Sequence, residues 1–322
     1  MIGASALAAL AFLAAPLAAQ TISLSPPVAC RLGQDCFIQQ YVDQDPGGGA
    51  RDYLCGPLSY DKHTGTDFAL PTLRDMERGV SVIAAAPGIV TRIRDGRPDQ
   101  LYTSETARTT AGRECGNGVR IDHGGGWETQ YCHLKRQSVS VREGQSVRRG
   151  ERLGQIGLSG RTQFPHVHMT LFKDGDVVDP FRPQSTASCQ RQTGKTLWQT
   201  NIPYQAGGLL DVGFATRIPA YKDVVAGRAA RPRIRADAPA LVIFGYAFGA
   251  EAGDEMRFDI AGPSGFRFQH SALIEARKAQ LFQAAGQRRG DSRWQPGRYK
   301  GTVVLVRNGR RIGRQSVTTT IR

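Results

Sequence analysis

Residues 116–134 read "GNGVRIDHGGGWETQYCHL". Apolar and polar residues alternate on both sides of Gly124–Gly126. A period of two is that of a β-strand, and a glycine run between two such segments supplies a turn that tolerates positive φ. The stretch therefore predicts an antiparallel hairpin. The same pattern continues outward. "VSVIAAAPGIVTRIRDG" (80–96) predicts two strands around Pro87-Gly88, and "VSVREGQSVRRGERLGQIG" (139–157) predicts three short β segments. "HVHMTLFKDGDVVDP" (166–180) predicts two more strands around Asp174-Gly175. Helical periodicity is almost absent, so the fold class is all-β and antiparallel.

Residues 95–115, "DGRPDQLYTSETARTTAGREC", interrupt the alternation. They are polar and turn-rich, and are expected to form a surface insertion beside the active-site groove. The first domain is placed at 20–190, with its core at 60–180. The chain turns Pro/Ser/Thr/Gln-rich after Phe181, and 191–205 is read as a linker. Alternating segments then resume over 206–322 and end in a hairpin at Asn308-Gly309. They suit a small Ig-like β-sandwich. "EARKAQLFQAAGQ" (275–287) fits either a short helix or two strands.

The first 20 residues, "MIGASALAALAFLAAPLAAQ", are apolar and Ala-rich and end in small residues. They read as a secretory signal, 1–19, cut after Ala19, which places the protein outside the cytoplasm, periplasmic or extracellular. No other stretch is long and apolar enough to span a membrane, so no stable span is expected after cleavage. Six cysteines suit disulfides in an exported chain, and the lack of any C-x-x-C argues against a zinc ribbon. Cys30–Cys36 is sequence-local and Cys115–Cys132 would join neighbouring strands, so these two pairings are expected. The formal charge of +14 is uneven. Residues 1–190 carry 20 Lys+Arg against 19 Asp+Glu, whereas 191–322 carry 22 against 9. The basic C-terminal part is expected to meet an anionic envelope polymer or to pack on the first domain; nucleic acid is not an expected partner. On the first alternative, its deletion weakens wall binding in a salt-dependent way and spares cleavage of a soluble peptide.

Chemistry concentrates in few residues. "HTGTD" places His63 and Asp67 four apart, "QYCHLK" supplies His133, and "FPHVHMT" supplies His166 and His168 on one strand face. Zinc takes imidazole and carboxylate ligands, and a catalytic site uses three of them. Four His and one Asp exceed that need, as expected where some histidines move protons.

In order and framing, "HTGTDFALP", "VIAAAPGIV", "GNGVRIDHGGGWETQYCHL", "VREGQSVRRGERLGQIGLSGRTQFPHVHM" and "VVDP" closely resemble the M23 (lysostaphin/LytM-like) zinc metallopeptidases over roughly residues 60–180. The resemblance implies His63, Asp67 and His168 as ligands of one zinc ion. It implies His133 and His166 as catalytic histidines, and peptide bonds of peptidoglycan stems or cross-links as substrate. It implies an antiparallel LytM-like sheet. Which histidine is the base stays open. No ligand position is substituted, which argues against a non-catalytic cell-wall-binding or regulatory protein on the same fold. Met169 and the missing Glu after H-x-H depart from the family pattern.

Thr66, Tyr131 and Asp122 are candidates to orient the ligands; His123 and His270 are read as structural. Gly65, Gly116, Gly118 and Gly160 are expected where the backbone must approach closely. "VREGQSVRRGERLGQIG" also resembles the turns of biotinyl/lipoyl carriers, but no Met-Lys-Met accompanies it.

Overall fold

A computed structural model of the chain describes residues 21–184 and 195–322. The N-terminal run 1–19, Cys189 and the first residues of the expected linker lie outside the described residues.

The first half contains strands β1 (Phe37–Gln40), β2 (Thr66–Ala69), β3 (Ser81–Ile83), β4 (Gly88–Arg94), β5 (Asn117–Gly124), β6 (Trp127–Leu134), β7 (Ser146–Val147), β8 (Arg152–Gln155), β9 (His166–Lys173) and β10 (Asp176–Val178). The main sheet runs β1-β2-β9-β6-β5-β4-β7, with β10 on β9, while β3 and β8 pair separately. Every pairing within it is antiparallel. The expected hairpin joins β5 and β6. Asp174 and Gly175, both at positive φ, close the tight turn between β9 and β10.

Register places the site. Phe68 opposes Val167 and both are fully buried on the core side. Side chains alternate, so their neighbours Asp67 and His168, which also oppose each other, face the other way. The core beneath draws on Leu24, Tyr41, Phe68, Val119, Ile121, Tyr131 and Met169, and reaches Trp198 and Ile202 in the stretch read as a linker. The Trp198 ring meets Phe68 and Phe181 edge-on or tilted.

The second half contains β11 (Gly208–Ala215), β12 (Arg233–Ile234), β13 (Ala240–Ala250), β14 (Glu255–Ala261), β15 (Arg267–Leu273), β16 (Lys278–Arg288), β17 (Gly297–Arg307) and β18 (Arg310–Ile321). A three-stranded sheet, β11-β13-β16, faces a five-stranded one, β12-β18-β17-β14-β15. Phe214, Leu241 and Ile243 from one pack with Met256, Phe258, Val303 and Leu305 from the other. The stretch 275–287 is neither a helix nor two strands: most of it lies in β16, one continuous strand that pairs with β13 from Lys278 to Arg288. Ten residue pairs of ladder outweigh the local helix propensity of Ala and Gln.

The two halves share an apolar contact. Phe37 and Ala69 pack with Leu210, Val224, Val225, Phe244, Tyr246 and Phe248, and Phe164 lies against the same cluster. The Phe37 and Phe248 ring centroids are 4.4 Å apart. Gln39 donates to Ala279 O at 3.0 Å, and Arg277 donates to Ser59 O at 3.2 Å.

Candidate metal and catalytic site

His63, Asp67 and His168 each turn one donor atom into a common space, and the three atoms lie within 4.8 Å of one another. Asp67 Oδ1 is 3.2 Å from His63 Nε2 and 2.8 Å from His168 Nδ1. Behind them, His63 Nδ1 donates to Tyr41 O at 2.6 Å, which leaves Nε2 as the free lone pair. His168 Nε2 lies 3.0 Å from Thr170 Oγ1, which orients the ring so that Nδ1 faces the cluster. Such partners fix which ring nitrogen a ligating histidine offers. Gly65 is required here: a Cβ on it would come within 2.6 Å of His168 Nε2 and 2.7 Å of Met169 O. Two imidazoles and a carboxylate converge, with His63 and Asp67 buried and His168 partly exposed, a donor set that a tetrahedral zinc ion accepts with one position left over.

His166 and His133 flank this cluster. His166 Nε2 is 3.5 Å from Asp67 Oδ1. Its Nδ1 donates to Phe164 O at 2.9 Å and lies 3.0 Å from Thr162 Oγ1. His133 Nδ1 donates to Ser159 O at 2.8 Å. Both Nδ1 protons are thus engaged by backbone carbonyls, and each ring presents an unprotonated Nε2. The two rings are 4.7 Å apart, and His133 is 6.1 Å from His168, centroid to centroid. All five residues named from the sequence therefore meet in one place.

The electrostatics divide these groups. Burial pushes the His133 imidazole well below its ordinary range, and His166 and His168 push it further. Burial also lowers His166, against the opposing pull of Asp67. At His63 burial is outweighed by the Asp67 charge and by hydrogen bonds to Asp67 and Tyr41 O, which raise it. Asp67 is held well below the usual carboxylate range; burial opposes this, but the charge of His63 and hydrogen bonds from His168 and His63 prevail. His133 and His166 are accordingly neutral bases, beside a carboxylate that stays ionised.

The backbone around His133 explains how it enters the site. Cys132 opposes His168, so alternation alone would turn residue 133 away from it. His133 instead adopts φ +64°, and its N–H donates to Cys115 O at 2.8 Å. Cys115 and Cys132 form a disulfide, as do Cys30 and Cys36, the two pairings expected. Ser159 Oγ donates to Leu134 O at 2.7 Å and accepts from the Asn117 N–H at 2.8 Å, closing the clamp around His133. Gly116 and Gly160, both at positive φ, approach Ser159 and Glu114 where no Cβ fits, and a Cβ on Gly118 would meet Tyr131 O at 2.6 Å.

Residues of 95–115 contact the loop that leads into β9. Tyr102 N–H donates to Thr162 O at 2.7 Å, and Asp99 accepts from the N–H groups of Leu158 and Arg136.

The expected orienting residues are not where the sequence suggested. Thr66 precedes Asp67 and so faces the opposite side, where its Oγ1 is buried with no hydrogen-bond partner among the described residues. Tyr131 opposes core-facing Met169 and bonds Ala85 N–H and Thr129. Asp122 accepts from Gly124 N–H in the hairpin turn. Thr170, Thr162, Ser159 and Tyr41 do the orienting. Only Thr170 carried a readable signal, as the next same-face residue after His168 on β9. His123 is structural, its two nitrogens bonded to Pro87 O and Thr129 Oγ1 at 2.7 Å each. His270 lies outside the site, in β15.

Residues 61–180 match the model of peptidase family M23. This segment of the chain is an M23 peptidase domain. The M23 domain is similar to peptidoglycan DD-endopeptidase ShyA of Vibrio cholerae, at 33% identity over 120 residues, covering 37% of this chain and 22% of that one. It is also similar to DD-carboxypeptidase/endopeptidase Mpg of Neisseria meningitidis, at 36% identity over 118 residues, again 37% and 22%. The chain thus spans about a fifth of the length of these curated relatives. Among solved structures, the catalytic domain of the prophage-encoded M23 protein EnpA of Enterococcus faecalis aligns at 24% identity over 49% of this chain and 95% of that one, with a TM-score of 0.33.

Proposed function

We propose that the chain is an exported zinc-dependent endopeptidase that hydrolyses peptide bonds in peptidoglycan stems or cross-links. The observation that carries this reading is the convergence of His63, Asp67 and His168 within 4.8 Å beside two neutral, carbonyl-anchored imidazoles. The names of the relatives, peptidoglycan endopeptidases, support the substrate class.

His63 Nε2, Asp67 Oδ1 and His168 Nδ1 are the atoms that would hold zinc. A zinc ion there would act as a Lewis acid, polarising the scissile carbonyl and acidifying water. The remaining work falls to the protein's own groups. One of His166 and His133 takes a proton at Nε2 and delivers it to the leaving amine. Phe164 O and Ser159 O hold the Nδ1 protons and stabilise each ring as it becomes cationic. Burial of His63, Asp67, His133 and His166 strengthens their interactions.

The reading includes a site of action in the envelope. No helix among the described residues is long and apolar enough to cross a membrane. The outer face of the five-stranded sheet carries Arg298, Lys300 and Arg314 between threonines and serines, a surface suited to an anionic polymer.

The deciding measurement is mass spectrometry of muropeptides released from purified sacculi, alongside zinc content. Wild-type protein is expected to hold about one zinc per chain and to release fragments cut at a peptide bond; His168→Ala and chelated protein release none. Wall binding without release sinks the proposal.

A further inference from the structure

The rim of the site carries an exposed cation that forms no ion pair among the described residues. Arg161 follows Gly160 in the loop leading to β9, and its guanidinium lies over the Tyr102 ring, 5.4 Å from the centroid. Its backbone N–H donates to Glu114 O at 2.8 Å. Glu114 turns its carboxylate to the Gly112 N–H instead of to the guanidinium. The next residue, Thr162, bonds His166 and accepts from Tyr102 N–H. Arg161 is therefore one residue from a contact to the catalytic ring.

Its charge also reaches Tyr60, the aromatic neighbour of His63. Tyr60 is 54% exposed, and its ring lies 4.4 Å from His63. Burial and the Asp67 charge raise the Tyr60 phenol, and the Arg161 charge opposes them.

A guanidinium stacked on an aromatic face keeps its planar fork of N–H donors for a planar acceptor. Stacking also restrains the side chain before any ligand arrives, which lowers the entropic cost of binding. Glu114 nearby and the lack of a second cation in the loop favour a singly charged acceptor over a phosphate dianion. We propose that Arg161, braced by Tyr102 of the insertion, receives a free carboxylate of the substrate peptide and so selects strands that carry one next to the cleaved bond. This rests on the endopeptidase reading given above.

The test uses two peptides that differ only in a carboxylate against a carboxamide, with wild-type, Arg161→Gln and Arg161→Lys proteins. One charge-assisted bidentate contact corresponds to a preference of about tenfold. Wild type is expected to favour the acid by about that factor in kcat/KM, mainly through KM. Arg161→Gln brings the ratio to about one, and Arg161→Lys restores part of it. Fluorescence anisotropy with both labelled peptides on chelated protein reads the same ratio without turnover. That arm decides the role of Arg161 even where absence of turnover removes the endopeptidase reading. A ratio that Arg161→Gln leaves unchanged in both assays overturns the proposal.

Discussion

His168 Nδ1 lies 2.8 Å from Asp67 Oδ1, and the two residues are direct cross-strand partners of β9 and β2. The ligand pair is therefore built into the ladder of the sheet, and needs no loop to close. Removing either side chain leaves the sheet intact but breaks the donor set. His168→Ala and Asp67→Ala are expected to lower turnover about a thousandfold or more, since Lewis-acid stabilisation is worth several kcal/mol. Metal that binds only the folded chain raises its stability by mass action. Thermal unfolding with and without chelator should show a clear drop for wild type and none for Asp67→Ala. An equal drop in both places the metal elsewhere.

His133 depends on a different device. Its N–H donates to Cys115 O, and Cys115 is tied to Cys132, the residue before it. Replacing both cysteines by serine frees the insertion from β6 and loosens a residue held at φ +64°. We expect kcat to fall about 10- to 100-fold, the scale of losing an orienting partner, with zinc content unchanged. Stability should fall by about 3 kcal/mol for a loop of this size. Unaltered kcat in a folded double variant removes the positioning role.

The packing between the halves changes one expectation drawn from composition. Charge alone suggests that the basic tail serves binding and can be deleted without harm to cleavage of a soluble peptide. Yet Phe37 in β1 is buried against Phe248, and Phe164, stacked 4.4 Å from His166, lies on the same apolar cluster. Arg277 holds Ser59, next to Tyr60 and its contact with His63. Phe248→Ala is expected to cost about 3–5 kcal/mol, and loss of the second half should reduce cleavage of a short soluble peptide as well as of sacculi. Soluble-peptide activity equal to wild type after truncation contradicts this.

How far the site was legible follows from where its information lies. The same-face relation of His166 and His168 is a property of strand period, whereas the pairing of Asp67 with His63 as ligands rested on the family resemblance. His133 is another matter. Its side chain reaches the site through a left-handed backbone at the end of β6, which simple alternation does not anticipate; the family resemblance supplied it. The groups that orient the histidines are mostly carbonyls of Tyr41, Ser159 and Phe164. Every residue has a carbonyl, so sequence carries no mark of which one will be used. The three residues expected to orient the ligands lie elsewhere: Thr66 is one residue out of phase with Asp67, Tyr131 pairs with core-facing Met169, and Asp122 bonds within a turn. The strand over 278–288 was ambiguous because its Ala and Gln residues suit either structure, and the β13 ladder decides between them.

Asp179, next to Pro180 at the end of the M23 domain, gives a pH test away from the metal site. It is 4% exposed, and its carboxyl accepts from Gln44 Nε2 and Phe181 N–H at 2.8 Å each. Burial pushes it up to about 7, against the hydrogen bonds that favour its ionised form. The folded state thus holds a proton that the unfolded chain releases near 3.8. Stability linked to this group is fully present below that value and is lost as pH rises through the window up to about 7. A shift of this size corresponds to about 4 kcal/mol at most. Asp179→Asn keeps the shape and, with the Gln44 amide turned over, the hydrogen bond, but removes the titration. In urea unfolding at several pH values, the stability of wild type relative to Asp179→Asn should decline by about 2–4 kcal/mol between pH 4 and pH 7. Groups common to both proteins cancel in the difference. A difference independent of pH would show that the Asp179 carboxyl is ionised in the folded protein across this range.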